Sequence, residues 1–189
     1  MSTYKTIILD EDGIDILQTL EEEKNFEREL NEIPEGDLIE IGVYMGATAK
    51  KMAKRYPDRN IYACDTFEGF VEDARPEDSN AKYKKGDLGE ATIEKVRENT
   101  KQYPNIKLIK GEFPYSANEL KNKKFAFAHL DVDVYRATKE SLEFLLPRMT
   151  EGGKIIVHDY PAHDGVRRAV DELVEDKKVL GGRQCLIIK

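Results

Sequence analysis

Tryptophan is absent from this chain of 189 residues, histidine occurs only three times, and cysteine only twice. Cys64 and Cys185 sit in the apolar runs 61–64 and 185–188, where a cysteine is most often a small buried hydrophobe. No C-x-x-C pair and no secretory leader pattern is visible, so a reduced, cytoplasmic compartment is expected. A cationic excess is also lacking: 30 Lys and Arg face 37 Asp and Glu, a net charge of -7. That balance excludes the basic footprint needed to wrap nucleic acid. The short run Lys82, Lys84, Lys85 reads as a solvated face. No apolar stretch approaches membrane length. Internal repeats, linkers and a compositional break are missing too, and the expectation is one domain over 1–189 with a substantial core.

Hydrophobic residues make up 40% and charged residues 35%, an ordinary globular balance. Short apolar runs alternate with longer helix-period segments, the signature of a mostly parallel sheet with helices on both faces. Strands are expected over 37–43, 60–66, 106–109, 125–131 and 154–158. Helices are expected over 46–56, 90–103, 138–146 and 165–175, with 67–88 as loop carrying a short helix. Residues 177–180 and 184–188, joined by Gly181-Gly182, read as an antiparallel hairpin. The fold class is therefore α/β, doubly wound, with about seven strands and a C-terminal antiparallel hairpin. Residues 1–36 form an N-terminal extension, mainly helical, with a short strand over 6–9 and a helix over 14–30. In that helix Ile16, Leu17, Leu20, Phe26 and Leu30 face inward.

The chemistry-bearing residues gather where these strands end. Glu40-x-Gly42-x-x-x-Gly46 closes a strand and opens a helix, so backbone can approach a ligand and present free N–H groups. It lacks the G-x-G-x-x-G pattern of a pyrophosphate site and suits a ligand with a carboxylate, an ammonium and a ribose. Asp65 ends the next strand, where an acid meets ribose hydroxyls. Asp131-Val132-Asp133-Val134-Tyr135 follows another strand, and alternation puts Asp131 and Asp133 on one face if the strand persists. His158-Asp159 ends the neighbouring strand. Any one of these acids alone reads as a helix cap; four at adjacent strand tips mark a functional cleft. Asp131, His158 and Asp159 can converge on one metal ion, with Asp133 beside it. His129 reads as a hydrogen-bonded core histidine, His163 as a loop residue near the cleft, and one of Arg167 and Arg168 as the partner of a strand-tip carboxylate.

The stretch 125–170, with His129-Leu-Asp-Val-Asp-Val-Tyr135, Leu146-Pro147-Arg148, Asp159-Tyr160 and Gly165-Val-Arg-Arg-Ala-Val170, resembles the macrocin O-methyltransferase family. Glu40-Ile-Gly-Val-Tyr44-x-Gly46, Asp65-Thr-Phe-Glu-Gly69 and Lys110-Gly-Glu-Phe113 are similar to its cofactor motifs, so the likeness spans about 37–175. The resemblance implies a Rossmann-like fold and metal-assisted methyl transfer from S-adenosylmethionine to a hydroxyl of a small molecule or sugar. It places Glu40, Gly42, Tyr44 and Gly46 at the methionine and ribose end of the cofactor. Asp65 and Thr66 then lie at the ribose, Glu112 and Phe113 near the adenine, and Asp131 beside them. It gives Asp131 and the pair His158-Asp159 to Mg²⁺, and makes Asp133 the base.

This chain departs from the family at His158, where Asp is usual. Imidazole with two carboxylates suits Mn²⁺, Fe²⁺, Co²⁺ or Zn²⁺ better than Mg²⁺. Either the metal differs, or His158 acts as a base near neutral pH. No long insertion is visible that would serve as a lid. A small-molecule acceptor is the expected partner, with no nucleic acid or membrane, and a homodimer is compatible with the sequence. The alternative function is a non-catalytic S-adenosylmethionine-binding module with a degenerate metal site. A nicotinamide oxidoreductase is disfavoured by the glycine pattern.

Overall fold

A computed structural model of the chain describes residues 8–80 and 82–189. Two short strands come first, β1 (Ile8–Leu9) and β2 (Asp15–Ile16), paired antiparallel. Asp10 Oδ1 accepts the N–H groups of Asp12 and Ile14 and so shapes their turn. The Lys50 ammonium closes that turn 2.7 Å from Asp10 Oδ2 and also meets Asp12. Helix α1 (Leu20–Leu30) begins at a capping box, in which Thr19 and Glu22 satisfy each other's backbone N–H groups.

Then follow β3 (Asp37–Ile41), α2 (Ala47–Arg55), β4 (Ile61–Asp65), α3 (Ile93–Thr100), β5 (Ile106–Lys110) and β6 (Phe125–Leu130). The chain finishes with α4 (Tyr135–Leu145), β7 (Met149–His158), α5 (Asp164–Leu173), β8 (Lys178–Leu180) and β9 (Gln184–Ile188). The main sheet has seven strands in the order β5-β4-β3-β6-β7-β9-β8. Strands β3 to β7 are parallel, and β9 and β8 close the edge antiparallel. Every residue of β6 is buried, as a strand covered on both faces requires. One core, holding Ile39, Leu130, Leu142 and Val166, lies under α4 and α5. The other, holding Leu38, Met52, Val96, Phe127 and Phe26, lies under α1, α2 and α3. Strand order reverses between β3 and β6, so their carboxyl ends frame the crevice where ligands collect in such sheets.

The expected α/β class, strand count and hairpin are all present. Three local expectations change, and a fourth falls partly outside the described residues. The helix expected over 14–30 starts only at Leu20; Asp15 and Ile16 are a strand, and Leu20 points outward at 67% exposure. The strand expected over 6–9 is present at Ile8–Leu9, and its first two residues lie outside the described ones. Strand β7 begins five residues early, at Met149, because Gly152 and Gly153 hydrogen-bond to Lys189 across the edge despite a register shift. Helix α4 starts at Tyr135 because Asp78 reaches in from the 67–88 loop to accept the Tyr135 N–H at 2.7 Å. Among the described residues no helix is long and apolar enough to cross a membrane.

Helix α1 is welded to the sheet by Phe26, fully buried and edge-on to Phe127 at 5.6 Å. Phe26→Ala is expected to destabilise the protein by about 3–5 kcal/mol, the range for emptying a buried aromatic site. Urea unfolding measures this, and a loss below about 1 kcal/mol would show that α1 is not part of the cooperative unit.

Candidate active site

The cleft at the carboxyl ends of β3, β4 and β6 is lined by Glu40, Gly42, Tyr44, Asp65, Thr66, Glu112, Phe113, Asp131 and Asp133. Gly46, expected beside them, does not line it. Its backbone is left-handed (φ 89°), and an added Cβ would meet Thr100 and Val96 at 3.0 and 3.2 Å, so it serves the turn into α2. Gly42 is required by close packing: a Cβ there would sit 1.9 Å from the Asp131 carbonyl oxygen. Its absence lets β3 and β6 approach at their tips. Asp65 Oδ2 accepts the N–H groups of Val43 and Tyr44 at 2.7 and 3.2 Å, while Oδ1 accepts that of Phe67 at 2.9 Å. This carboxylate therefore ties the glycine turn to the next loop. Tyr44 donates to Glu90 at 3.1 Å, and burial followed by that carboxylate pushes its pKa up to about 12. Phe113 is buried edge-on to Phe144 at 4.9 Å, and Glu112 pairs with Arg136 at the rim.

The strand-tip acids converge, though not by strand alternation. Strand β6 ends at Leu130, and Asp131 and Asp133 lie in the loop beyond it, so the shared-face argument does not hold. Asp133 and Asp159 both adopt left-handed backbone, φ 64° and 59°. Such strain concentrates at functional sites, and Asp tolerates it better than most residues. The twist brings both carboxylates to one place. Asp131, His158 and Asp159 each offer a ligand atom within 4.8 Å of the others, and Asp133, Asp159 and His163 form a second such group. His158 Nδ1 lies 3.1 Å from Asp131 Oδ1 and 3.2 Å from Asp159 Oδ2. Burial alone would lower the His158 pKa, but the Asp131 and Asp159 carboxylates outweigh it and hold it well above the usual imidazole range. His158 and Asp159 lie behind the cleft wall, fully enclosed, whereas Asp131 and Asp133 reach the cleft.

Several residues with roles here carried no signal in the sequence. Glu22, in the first turn of α1, is completely buried with Oε2 3.4 Å from His158 Nε2. Arg183, from the β8–β9 turn, bridges Glu22 and Asp159 at 3.1 Å each. Burial would raise the Glu22 pKa, but the contacts with His158, the Thr19 N–H and Arg183 hold it far below the usual carboxylate range. The arginine partner of the strand-tip acids is thus Arg183. Arg167 and Arg168, considered for that role, pair with Asp164 and Glu172 on their own helix. His129 is a buried, hydrogen-bonded histidine, contacting Glu40 Oε1 at 3.1 Å and Gln18 Nε2 at 3.2 Å. His163 stands at the start of α5, with Nδ1 3.3 Å from the Asp133 carbonyl oxygen.

The 67–88 loop also reaches the site. Phe70 stacks on Tyr83 with centroids 4.3 Å apart, and the Tyr83 hydroxyl donates to Asp133 Oδ1 at 2.8 Å. A covering segment is therefore present where no insertion suggested one. Its aromatic residues are spaced without period, so only the folded contact reveals it.

Comparison with known proteins follows the same lines. The family model described as Macrocin-O-methyltransferase (TylF) matches residues 13–182. Over 152 residues the chain is 31% identical to the 8-demethyl-8-(2,3-dimethoxy-alpha-L-rhamnosyl)-tetracenomycin-C 4'-O-methyltransferase of Streptomyces olivaceus, covering 72% of this chain and 57% of that protein. It is 29% identical over 155 residues to the demethyldecarbamoylnovobiocin O-methyltransferase of Streptomyces niveus, covering 75% and 59%. The chain therefore spans little more than half the length of these curated relatives. Among solved structures, the O-methyltransferase NovP matches with a TM-score of 0.75 at 22% identity, covering 92% of this chain and 81% of that one. The calicheamicin methyltransferase CalS11 matches at 0.70 and 21%, covering 87% and 76%. At these identities the structural matches speak for the fold.

Arg183 supplies positive charge to two enclosed carboxylates. Arg183→Ala is expected to cost about 3 kcal/mol, the low end for breaking a buried pair because the guanidinium is only half-buried. Thermal unfolding with the Arg183→Lys variant as control checks it, and a change within about 0.5 kcal/mol would remove this role.

Proposed function

We propose, from the premise that this chain belongs to the macrocin O-methyltransferase family, that it methylates a hydroxyl of a small molecule at the expense of S-adenosylmethionine. The carrying observation is that Asp131 and Asp133 line the cleft that the glycine turn and Asp65 also border, with His158 and Asp159 grouped against them behind its wall. A sugar hydroxyl is the acceptor class favoured by the rhamnosyl substrate in the name of the Streptomyces olivaceus relative.

Bound cofactor and divalent ion would supply, respectively, an electrophilic methyl group and a Lewis acid that lowers the acceptor's pKa. The residues present would fit such an ion with His158 deprotonated at Nδ1, the ion then replacing the proton that Asp131 and Asp159 otherwise hold there. Imidazole nitrogen and two carboxylates within 4.8 Å form a donor set for Mn²⁺, Fe²⁺, Co²⁺ or Zn²⁺, whereas Mg²⁺ favours oxygen alone. Glu22 faces the far nitrogen of His158, as the carboxylate partners of metal-bound histidines do. Asp133 is the base: it reaches the cleft, and it holds the Tyr83 hydroxyl at Oδ1. Tyr83 keeps its proton, since burial first and Asp133 second raise its pKa, so it orients the carboxylate and does not compete as a base. Phe70, which lines the cleft, stacks on Tyr83 and so brings apolar surface beside the site.

A non-catalytic binding module is the second reading, favoured by the Arg183 guanidinium already placed 3.1 Å from Asp159. Asp133→Asn decides between them on a hydroxylated sugar acceptor. Turnover is expected to fall by about 10²–10⁴-fold, the worth of a positioned base, with S-adenosylhomocysteine binding retained. Unchanged turnover removes Asp133 as the base, and a wild-type protein inactive on every hydroxylated acceptor supports the binding module. Added Mn²⁺ is expected to raise the thermal midpoint of the wild type but not of Asp131→Asn; an equal response in both excludes the Asp131 site.

A further inference from the structure

Helices α4 and α5 begin without help from their own N-caps. Val134 and His163, the residues before their first turns, make no side-chain capping hydrogen bond. Both first turns are served instead by one distant piece of chain, the turn Pro76–Asp78 and the two residues after it. Asp78 Oδ1 accepts the Tyr135 N–H at 2.7 Å, and Asn80 Oδ1 accepts the Asp164 N–H at 3.0 Å. Ser79 Oγ donates to Asp164 Oδ2 at 2.8 Å, and Asn80 Nδ2 to the Ala162 carbonyl oxygen at 2.7 Å. A helix start needs such acceptors, because its first N–H groups have no partner within the helix.

Only one of the three capping residues is buried. Asp78 is 3% exposed, whereas Ser79 and Asn80 face solvent, so the Asp78 contact is the one whose loss leaves an N–H unmet. The surroundings leave space for that carboxylate. A Cβ on Gly165, in the first turn of α5, would stand 2.0 Å from Asp78 Oδ1. Gly165 has no left-handed backbone to account for it, and glycine within a helix is otherwise unfavourable. Burial raises the Asp78 pKa, with the Tyr135 N–H opposing, so the contact needs its accepting oxygen more than its charge.

The two helices held this way follow the strand-tip acids. Asp133 lies two residues before Tyr135, and Asp159 five residues before Asp164. The clamping chain also carries Tyr83, three residues beyond Asn80, whose hydroxyl meets Asp133 Oδ1 at 2.8 Å. The Tyr83 carbonyl oxygen accepts the Ala74 N–H at 2.9 Å and its ring stacks on Phe70, which ties Tyr83 to the rest of the loop. A single buried anchor therefore bears on both ends of the Tyr83–Asp133 contact, on Tyr83 through the loop and on Asp133 through the start of α4.

We propose that Asp78 is a positioning residue for the methyl transfer, anchoring the covering loop between the first turns of α4 and α5 so that the Tyr83 hydroxyl rests on Asp133. The proposal builds on the reading of Asp133 as the base and adds the residue that sets its geometry from the loop.

Turnover is read on methyl α-L-rhamnoside, a probe chosen for the rhamnosyl group in the name of the Streptomyces olivaceus relative. Asp78→Ala is expected to lower kcat by about 10–100-fold, the worth of a small misplacement at the reacting groups. Asp78→Asn keeps an accepting oxygen and should stay within about threefold of the wild type. Gly165→Ala retains Asp78 but displaces its carboxylate, and should repeat the loss seen in Asp78→Ala. The deciding measurement is a double-mutant cycle. In a Tyr83→Phe background, itself slowed, Asp78→Ala should cost less than about threefold more, because the contact it positions is already gone. The full loss repeated in that background, an Asp78→Asn variant as slow as Asp78→Ala, or unchanged turnover in Asp78→Ala overturns the proposal. Thermal unfolding identifies a variant that fails to fold, and Gly165→Ala then takes its place in the cycle. Undiminished turnover in Asp133→Asn, or a wild type that methylates no hydroxylated sugar, instead removes the reading of the base or of the reaction, and this proposal with it.

Discussion

Everything at the functional end of this protein depends on a polar seam buried between α1 and the sheet. Parallel strands covered on both faces are expected to be apolar throughout. Here one face carries Glu40, His129, His158 and Gln184 on successive strands. The N-terminal segment answers each in turn. Gln18 meets His129, Glu22 meets His158, and Asn25 meets Gln184 at 3.3 Å and the Gly181 carbonyl oxygen at 2.7 Å. Positions 22 and 25 share one side of a helix, and Phe26 beside them anchors the same side in the core. Each polar group in this seam would be a liability alone; together they fix how α1 sits.

That docking has chemical consequences. Glu22 orients His158, His158 faces Asp131 and Asp159, and Arg183 closes the circuit from the far edge of the sheet. A helix that precedes the parallel strands thus bears, through His158, on the acids at the tips of β6 and β7. The β8–β9 turn is drawn in as well, because Arg183 is held only where that hairpin closes beside α1. Fold and site are stabilised by the same contacts, so neither is independent of the other.

The parallel strands were legible because their apolar runs are bounded by Gly, Pro and acids, and a strand-tip acid is visible wherever such a run stops. Residues 37–41, 61–65 and 125–130 illustrate it. The start of β7 was not legible, since Gly152-Gly153 reads as a turn and is held extended only by the chain's last residue. The beginning of helix α1 is hidden in the sequence for a related reason. Ile14, Ile16 and Leu17 match a helical period, but pairing with Ile8 and Leu9 claims residues 15 and 16 for a strand. At the site, Asp131, Asp133, His158 and Asp159 announced themselves by type and place. Gln18, Glu22, Tyr83 and Arg183 did not, because each acts on a residue distant in sequence, 24 residues away for Arg183 and Asp159 and 50 or more for the others. A glutamate in a helix's first turn reads as a cap, which Glu22 also is.

Charge settles what the strand tips can accept. Glu22, Asp131, Asp133 and Asp159 crowd one end of the sheet, and Arg183 with His158 supplies the positive charge built into the fold. A second anion would be repelled there, which suits the neutral hydroxyl acceptor of the proposed reaction. The protein already shows how such a group is received: the Tyr83 hydroxyl, neutral and donating, rests on Asp133 at 2.8 Å. A carboxylate oxygen has room for more than one donor, and Asp133 is the strand-tip acid that combines a cleft position with a hydroxyl partner. Asp131 reaches the cleft too, but its Oδ1 is turned toward His158. Asp159 lies enclosed between His158 and Arg183. These positions support the proposed division of labour: Asp159 and Glu22, behind the cleft wall, hold positive charge, and Asp133, at the cleft, is the proposed base.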